Sequence, residues 1–323
     1  MKVPRRINDI LRRQSEYIES RTGELGTIIL KYQDRLLREI NQKIIPELEV
    51  VNGVIVDSVR NMRLLQSLDK VYEEFGRKNY PIVARHVIDT TDKIKSLSKD
   101  YFSISLGVEL PDYFDKAIKT SSDLIDMRIG ADVSGGFLPK LIKNDALLQS
   151  VKAVFAKGII ARSSLRMMIK DVTDIIAGVD KEGGLEYQVR RYAHDLYRQY
   201  NAAYNDSLAR QIKLKYFIYQ NGLVLDSRDF CVVHDGKVWS RDEAKEWPKW
   251  TPAKSIAKGE FPETVNGKPY KIKQKDLRAV PGYISYPGYN PVVDIGGYNC
   301  RHILAWITDN LAFKLRPELK KDK

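Results

Sequence analysis

Hydrophobic and polar residues alternate along the first two-thirds of the chain with the three- and four-residue steps of amphipathic helices. Two stretches keep this spacing over several turns. Their apolar positions are Leu25, Ile29, Tyr32, Leu36 and Ile40 in one, and Met62, Leu65, Leu68, Tyr72 and Phe75 in the other. We expect Pro46 and Gly53 to separate these helices, and Asn79-Tyr80-Pro81 to break the next run. The apolar faces favour an internal core, with a coiled coil or partner helices as the alternative.

Three further helices are expected after Ser134-Gly135-Gly136, which has the composition of a hinge or loop. The first has its buried side between Leu147 and Phe155. Ser163-Ser164 is a candidate N-cap for the second, Leu165–Ala177, and Gly178 would end it. The third runs roughly over residues 185–214.

From Tyr216 onward the pattern favours strands and turns. Tyr216–Tyr219, the turn Asn221-Gly222 and the following Val224-Leu225 predict a short hairpin. Asp235-Gly236 predicts a second turn before a strand at residues 237–239. The spacing Ser240-x-x-Glu243 is that of a capping box, which opens a helix to about Trp247.

Residues 248–291 are rich in Pro, Gly, Lys and aromatics, and predict a long irregular arm that lies over a neighbouring subunit. A strand near residues 299–306 closes the domain. The patterns therefore predict an α+β protein, mostly α-helical in its N-terminal two-thirds, with a small C-terminal β-containing module and this Pro- and aromatic-rich arm. The expected regions are 1–130, helical; 131–215, helical; and 216–323, the α+β module.

The formal net charge is +12, and it is unevenly distributed. Residues 207–323 hold 21 Lys and Arg against 13 Asp and Glu, an excess of eight. Such a surface favours a polyanion or an acidic protein, and a simple solubility charge is the alternative. No apolar run is long enough to cross a bilayer, and the first residues lack a signal peptide's apolar segment, so we expect a cytoplasmic protein without a membrane partner.

The sharpest chemical pattern pairs each cysteine with a nearby histidine. Cys231 precedes His234 by three residues, and Cys300 precedes His302 by two. Thiolates and imidazoles are ligands that zinc prefers, so these four residues predict a structural zinc site. If 300 and 302 lie on a strand, their side chains point to one face. The alternatives are two buried thiols beside backbone-bonded histidines, or a disulfide formed after cell lysis.

The longest predicted helix carries arginines interleaved with tyrosines. These residues are Arg190, Arg191 and Arg198, with Tyr192, Tyr197 and Tyr204. Such a face can grip phosphates and stack on bases, or it can be a solvated face whose tyrosines cover the core. We expect the arginines to contact nucleic acid or a partner.

The sequence lacks a Gly-x-Ser-x-Gly elbow, a phosphate-binding Gly-x-x-x-x-Gly-Lys-[Ser/Thr] loop and a His-Glu-x-x-His motif. Cys231 and His234 are nucleophile and base by residue type, but the sequence indicates no third, orienting group. We therefore expect no enzymatic activity and no catalytic residues.

Four landmarks between about residues 150 and 308 resemble, in order, those of the Mu F-like minor head (phage head morphogenesis) family. They are Phe155-Ala156-Lys157-Gly158-Ile159-Ile160; the helix from Arg191-Tyr192-Ala193-His194 to Tyr200-Asn201-Ala202-Ala203-Tyr204-Asn205; Asp226-Ser227-Arg228-Asp229-Phe230-Cys231 followed by Asp235-Gly236-Lys237-Val238-Trp239; and Gly296-Gly297-Tyr298-Asn299-Cys300-Arg301-His302. The chain departs from the family pattern at Gly297-Tyr298, where His-Pro is usual, and at His302, where the final Cys is usual.

The resemblance implies a minor capsid protein of a tailed phage or prophage, present in few copies near the portal vertex. It implies roles in head assembly or in DNA packaging and delivery, within a multi-subunit virion assembled in the host cytoplasm. The implied partners are the portal or the major capsid protein, with packaged double-stranded DNA nearby. A phage-borne enzyme or toxin-like effector and a free, non-specific DNA-binding protein are the alternatives.

Overall fold

The fold was taken from a computed structural model. It describes residues 5–106, 112–134, 145–179, 184–224, 227–273, 289–297 and 300–322. The helices are α1 (Arg5–Lys43), α2 (Val59–Leu106), α3 (Asp112–Ser134), α4 (Asp145–Ile160), α5 (Leu165–Ala177), α6 (Leu185–Gln211), α7 (Asp229–His234), α8 (Arg241–Ala244), α9 (Pro252–Ala257), α10 (Pro291–Asp294) and α11 (Asp309–Leu315). The strands are β1 (Val50–Val51), β2 (Val54–Ile55), β3 (Tyr216–Gln220), β4 (Val238–Ser240), β5 (Thr264–Val265), β6 (Lys268–Pro269) and β7 (Ile303–Ile307). The predicted α+β class, mostly helical with small C-terminal sheets, is confirmed.

The two amphipathic stretches form the long helices α1 and α2. All five apolar residues of the first stretch, Leu25 to Ile40, are buried. In the second, Leu68, Tyr72 and Phe75 are buried whereas Met62 is exposed. No helix in the described ranges is long and apolar enough to span a membrane.

The expected break at Asn79-Tyr80-Pro81 is wrong, because α2 continues through Pro81. A proline inside a helix costs roughly 3 kcal/mol, since it lacks the N–H that the helix needs. Here Phe75 and Val83 on either side are buried, so one apolar face passes through the proline. Asn79 donates a hydrogen bond to the Phe75 carbonyl at 2.8 Å, which ties its side chain to the preceding turn. Packing therefore outweighs the local cost.

The predicted boundaries of α5 are confirmed. The Ser164 hydroxyl accepts a hydrogen bond from the Met167 amide, and Gly178 follows the helix with φ of 82°. β1 and β2 form a hairpin that the sequence did not predict, joined by Asn52-Gly53 with both residues at positive φ. Left-handed backbone at both positions is what the tightest hairpin turn requires.

The chain divides into two compact units, each drawn from several stretches. Unit 1 contains residues 1–19, 91–126 and 194–323, and unit 2 contains residues 20–90 and 127–193. Both units take residues from the long helices, so the division is interleaved along the chain. It does not follow the consecutive regions 1–130, 131–215 and 216–323 that we expected from composition.

Unit 1 contains an antiparallel sheet in the order β4-β3-β7. Phe217 of β3 pairs with Trp239 of β4 and with Trp306 of β7. The predicted hairpin through Asn221-Gly222 is wrong, because Val224, in its predicted second strand, is not in a strand. Leu225, the other residue of that predicted strand, lies outside the described residues. Four of the five residues of β3 are buried, and a strand buried on both faces favours a central position with neighbours on each side.

The predicted arm is partly ordered into regular elements. Residues 247–249 form a 3-10 turn, α9 follows with Thr251 as its N-cap, and β5 and β6 form a hairpin through Asn266-Gly267. The expectation of an irregular segment is therefore wrong for this part, because local caps and an Asn-Gly turn organise it. Residues 274–288 of the predicted arm lie outside the described residues.

Candidate metal centre

Two buried thiols lie close together in unit 1. Cys231 lies on α7, a short helix that the sequence pattern did not reveal, and Cys300 lies three residues before β7. Their sulfurs are 4.0 Å apart, and both residues are at most 3% exposed. Both cysteines are free.

His302 completes a group of three ligand atoms. Its Nδ1 lies 3.7 Å from the Cys300 sulfur, and the two sulfurs and the imidazole nitrogen all lie within 4.8 Å of one another. The premise that Cys300 and His302 lie on a strand is wrong, since β7 begins at Ile303. They converge nevertheless, because the segment just before the strand places Cys300 against Cys231 of α7. These residues can hold a metal ion.

His234, the fourth predicted ligand, is not in this group. Its Nδ1 lies 2.7 Å from the Phe230 carbonyl oxygen, and its ring is stacked on Phe230 and Trp239 at 3.9 and 4.6 Å. Burial lowers the pKa of His234 to about 3. It is therefore a neutral imidazole packed among aromatic rings. This agrees with the alternative in which a histidine near a cysteine bonds to the backbone and binds no metal.

Asp235 lies behind His302 and was not predicted as part of the site. Its Oδ1 is 3.3 Å from His302 Nε2, on the opposite side of the ring from the sulfurs. The same oxygen accepts a hydrogen bond from the Gly222 amide at 3.2 Å. A carboxylate at the distal nitrogen fixes the orientation of a metal-binding histidine. The sequence signal was the Asp235-Gly236 turn, which has the ordinary meaning of a turn former.

Tyr219, from the central strand β3, places its hydroxyl between the two thiols. The oxygen lies 3.3 Å from the Cys231 sulfur and 3.5 Å from the Cys300 sulfur. The tyrosine ring is stacked on His302 with centroids 4.6 Å apart. Sequence reasoning missed this residue because a tyrosine in an apolar strand is typical of a core.

The backbone of Gly296 packs directly against the donor atoms. A Cβ at this position would lie 2.8 Å from the Cys300 sulfur and the Tyr219 hydroxyl, and 3.0 Å from the Cys231 sulfur. Only a residue without a side chain allows the backbone to approach so closely.

The thiols differ in their electrostatic surroundings. The Cys300 hydrogen bond and burial raise the pKa of Cys231. Burial alone would raise the pKa of Cys300, but the contacts with Cys231 and His302 and the charge of Arg198 hold it well below its usual value. Burial opposes the charge on His302, yet Asp235 and Cys300 raise its pKa to about 9. The site thus favours a thiolate at Cys300.

A cavity of about 670 Å³ adjoins the group. Cys231, Cys300 and His302 line it, together with Arg228 and Arg301. An ion therefore has a route to ligands that are themselves buried, which a metal site requires.

The three predicted contact arginines have different surroundings. Arg198 is 2% exposed and donates to the carbonyls of Asp294 and Gly297 at 3.3 and 3.4 Å, so it supports the fold beside the thiols and its prediction as a surface contact is wrong. Arg190 is exposed, and its Nε lies 3.5 Å from a carboxylate oxygen of Glu186. The side chain of Arg191 lies outside what the structure describes.

The arrangement allows three kinds of chemistry. The thiols and imidazole can bind a soft cation, and the two sulfurs can form a disulfide if they approach to about 2.05 Å. A Cys300–His302–Asp235 order is also that of an activated thiol nucleophile. Cys300 is, however, only 2% exposed, and its sulfur is flanked by Cys231, Tyr219 and the Gly296 backbone.

Comparison with protein-family models, curated proteins and solved structures found no match to this chain.

Proposed function

We propose that this protein is a structural minor head protein of a tailed phage or prophage, associated with the portal vertex and acting in head assembly or in DNA packaging and delivery. The observation that carries the proposal is the order of four sequence landmarks resembling the Mu F-like family, between residues 155 and 302. Each landmark is short, and their shared order makes the resemblance specific.

The positions of the later landmarks support this proposal. Three of them, which contain Arg198, Cys231 and Cys300, are far apart in sequence but contribute to one site in unit 1. Arg228, from the landmark that contains Cys231, donates a hydrogen bond at 3.0 Å to the carbonyl of Gly296, which belongs to the landmark that contains Cys300. Residues that recur together in a family commonly do so because they support one another in the fold.

We propose zinc as the ion for the metal centre. Thiolate sulfur and imidazole nitrogen are the donors that structural zinc sites use, and Asp235 behind His302 supplies the usual outer carboxylate. The buried Arg198 and the half-buried Arg228 stabilise negative charge on the thiols. Bound there, zinc would connect α7 to the segment before β7 and so stabilise the module.

The proposed partners are the portal or major capsid protein and packaged double-stranded DNA. Exposed lysines of unit 1, among them Lys237, Lys254 and Lys258, contribute to the positive excess of the C-terminal third. Contacts of such side chains with DNA would be made to phosphates, without reading of the base sequence. This role needs no catalytic residues, and we propose none.

Mass spectrometry of purified particles tests the structural role. We expect peptides of this protein in DNA-filled heads at a few copies per particle, and cross-links to the portal or the major capsid protein. Absence from particles that are otherwise complete would refute the proposal.

Zinc content tests the metal assignment separately. Purified protein should carry about one zinc per chain, and the double variant Cys231→Ser/Cys300→Ser should carry none. His234→Gln is the matched control, because His234 lies outside the ligand group, and it should retain zinc. Equal zinc in the wild type and the double variant would rule out this site.

A further inference from the structure

We infer that the Tyr219 hydroxyl is the fourth ligand of the metal centre, so that the ion is held by two sulfurs, one nitrogen and one phenolic oxygen. This inference rests on the proposed zinc site, and it names a donor of a residue type that sequence motifs for zinc do not include.

The distances among the donors carry the inference. Zinc lies about 2.3 Å from sulfur and about 2.0–2.2 Å from nitrogen or oxygen. In a tetrahedron these bond lengths give a sulfur–sulfur edge of about 3.8 Å, and sulfur–nitrogen and sulfur–oxygen edges of about 3.5 Å. The structure has 4.0 Å between the sulfurs of Cys231 and Cys300, and 3.7 Å from Cys300 to His302. The Tyr219 oxygen lies 3.3 and 3.5 Å from the two sulfurs.

Four of the six separations among these donors therefore match edges of a zinc tetrahedron to within a few tenths of an ångström. The separation between Cys231 and His302 is at most 4.8 Å. The Tyr219 hydroxyl lies within hydrogen-bond distance of both sulfurs, so without an ion it can donate to one of them and accept from the other. The same position leaves its oxygen directed at the point where an ion bound to both sulfurs would lie.

The neighbouring groups point to the same donor. In the part of the chain that the structure describes, no fourth Cys, His, Asp or Glu joins the cluster. Asp235 Oδ1 lies 3.3 Å from Nε2, the far nitrogen of His302, and is outside the group of ligand atoms. Gly296 brings its backbone against the two sulfurs and the tyrosine oxygen, where a Cβ would lie within 3.0 Å of each. Glycine at this position keeps the group free of a side chain.

Tyr219 is also held rigidly enough to serve as a ligand. It lies on the central strand of the sheet, its ring stacks on His302, and it makes edge contacts with Phe230 and Trp247. A preorganised donor loses little freedom when it binds an ion. Coordination would release the phenol proton to solvent, as it does the protons of thiols.

A fourth protein ligand has a functional consequence. Structural zinc sites have four protein ligands, whereas catalytic sites keep one position for water or substrate. With Tyr219 in place the centre is closed, which suits a stabilising role within an assembly.

The test compares the full-length protein with Tyr219→Phe, which keeps the ring and its stacking but removes the oxygen. Tyr101→Phe is the matched control, because Tyr101 is a buried tyrosine of unit 1 whose hydroxyl donates to the Trp306 carbonyl, away from the thiols. Zinc affinity is measured by chelator competition, and Co²⁺ replaces zinc for spectroscopy.

We expect Tyr219→Phe to weaken zinc binding roughly tenfold or more. Its Co²⁺ complex should keep the sulfur-to-cobalt charge-transfer bands but show shifted ligand-field bands. Tyr101→Phe should match the wild type in both measurements. Near-ultraviolet circular dichroism checks that each variant is folded.

An unchanged zinc affinity and cobalt spectrum in Tyr219→Phe would overturn the inference while leaving the Cys231–Cys300–His302 site intact. A wild-type protein that binds neither zinc nor cobalt would overturn the zinc site and the inference together.

Discussion

The close backbone approach at Gly296 allows a sharp test of the donor geometry. Gly296→Ala adds one methyl group at a position whose backbone torsion an alanine can adopt, since Gly296 is not among the residues at positive φ. The methyl carbon would lie 2.8 Å from Cys300 and Tyr219 and 3.0 Å from Cys231. Any effect therefore comes from crowding of the ligand atoms.

The size of the effect follows from the overlap. The methyl would be about 0.4–0.6 Å closer than an ordinary contact of 3.4 Å to three atoms at once. Overpacking of this kind costs about 1–3 kcal/mol. If the donors move apart to relieve it, zinc affinity falls between about fivefold and about 150-fold. The melting temperature should fall by roughly 1–5 °C for a chain of 323 residues.

Thermal unfolding with saturating zinc and with a chelator separates the cost of overpacking in the metal-free fold from the loss of zinc binding. We expect Gly296→Ala to be less stable than the wild type in both conditions, with the larger difference in zinc. Gly23→Ala is the control, because nothing lies within 4 Å of that Cβ and alanine in a helix should raise stability by about 0.5–1 kcal/mol. Stability of Gly296→Ala within about 0.5 kcal/mol of the wild type in both conditions would refute the proposed crowding of the donor group.

Three further predictions concern stability and are measured by urea unfolding. Ser164→Ala removes the N-cap of α5, and should lower the free energy of unfolding by about 1 kcal/mol; no change would mean that the cap contributes nothing. Burial lowers the pKa of His86, so its neutral form stabilises the fold above about pH 6.5 and this contribution is lost as pH falls through the lowered value. Unfolding at a series of pH values should show that decline, and His86→Gln should flatten it; an equal slope in the variant would contradict the assignment. Arg198→Gln should destabilise the protein by about 2–4 kcal/mol, whereas Arg190→Gln on the surface should change it by less than about 0.5 kcal/mol; equal effects would contradict a supporting role for Arg198 in the fold.

The elements predicted best are those fixed by interactions within a few residues. The start of α5 depends on Ser164 and the amide of Met167, and its end depends on Gly178. The capping box at Ser240 and Glu243 is likewise local, and both of its hydrogen bonds are present. Such contacts can be inferred from the order of residues alone.

Strand pairing could not be predicted in the same way. Ile218 pairs with Val238 on one side and with Ala305 on the other, and neither partner is the nearby Val224 that a local turn favoured. The choice depends on which strands bury the apolar residues of β3, and periodicity does not contain that information. Packing also explains why α2 continues through Pro81, a residue type that normally ends a helix. Buried residues on both sides of the proline stabilise the helical conformation there.

The candidate site was predicted by ligand chemistry and only in part by position. Cys231, Cys300 and His302 meet, as their residue types suggested. His234 has the same kind of spacing from a cysteine, yet its ring lies in an aromatic stack. The position of Tyr219 between the thiols could not be predicted, because it depends on contacts with Cys231 and Cys300, which are 12 and 81 residues away in the chain.

The pairing of β3 with β7 also affects the order of folding. Ile218 pairs with Ala305, which is 87 residues later in the chain, so the sheet cannot be completed until that part of the chain has been synthesised. Contacts of such long sequence separation form slowly. During synthesis β3 has an unpaired edge, a site for aggregation, until β7 is made. Cys300 lies three residues before β7, so it is synthesised just before that strand. The second thiol can therefore pack against Cys231 only at the stage when β7 completes the sheet.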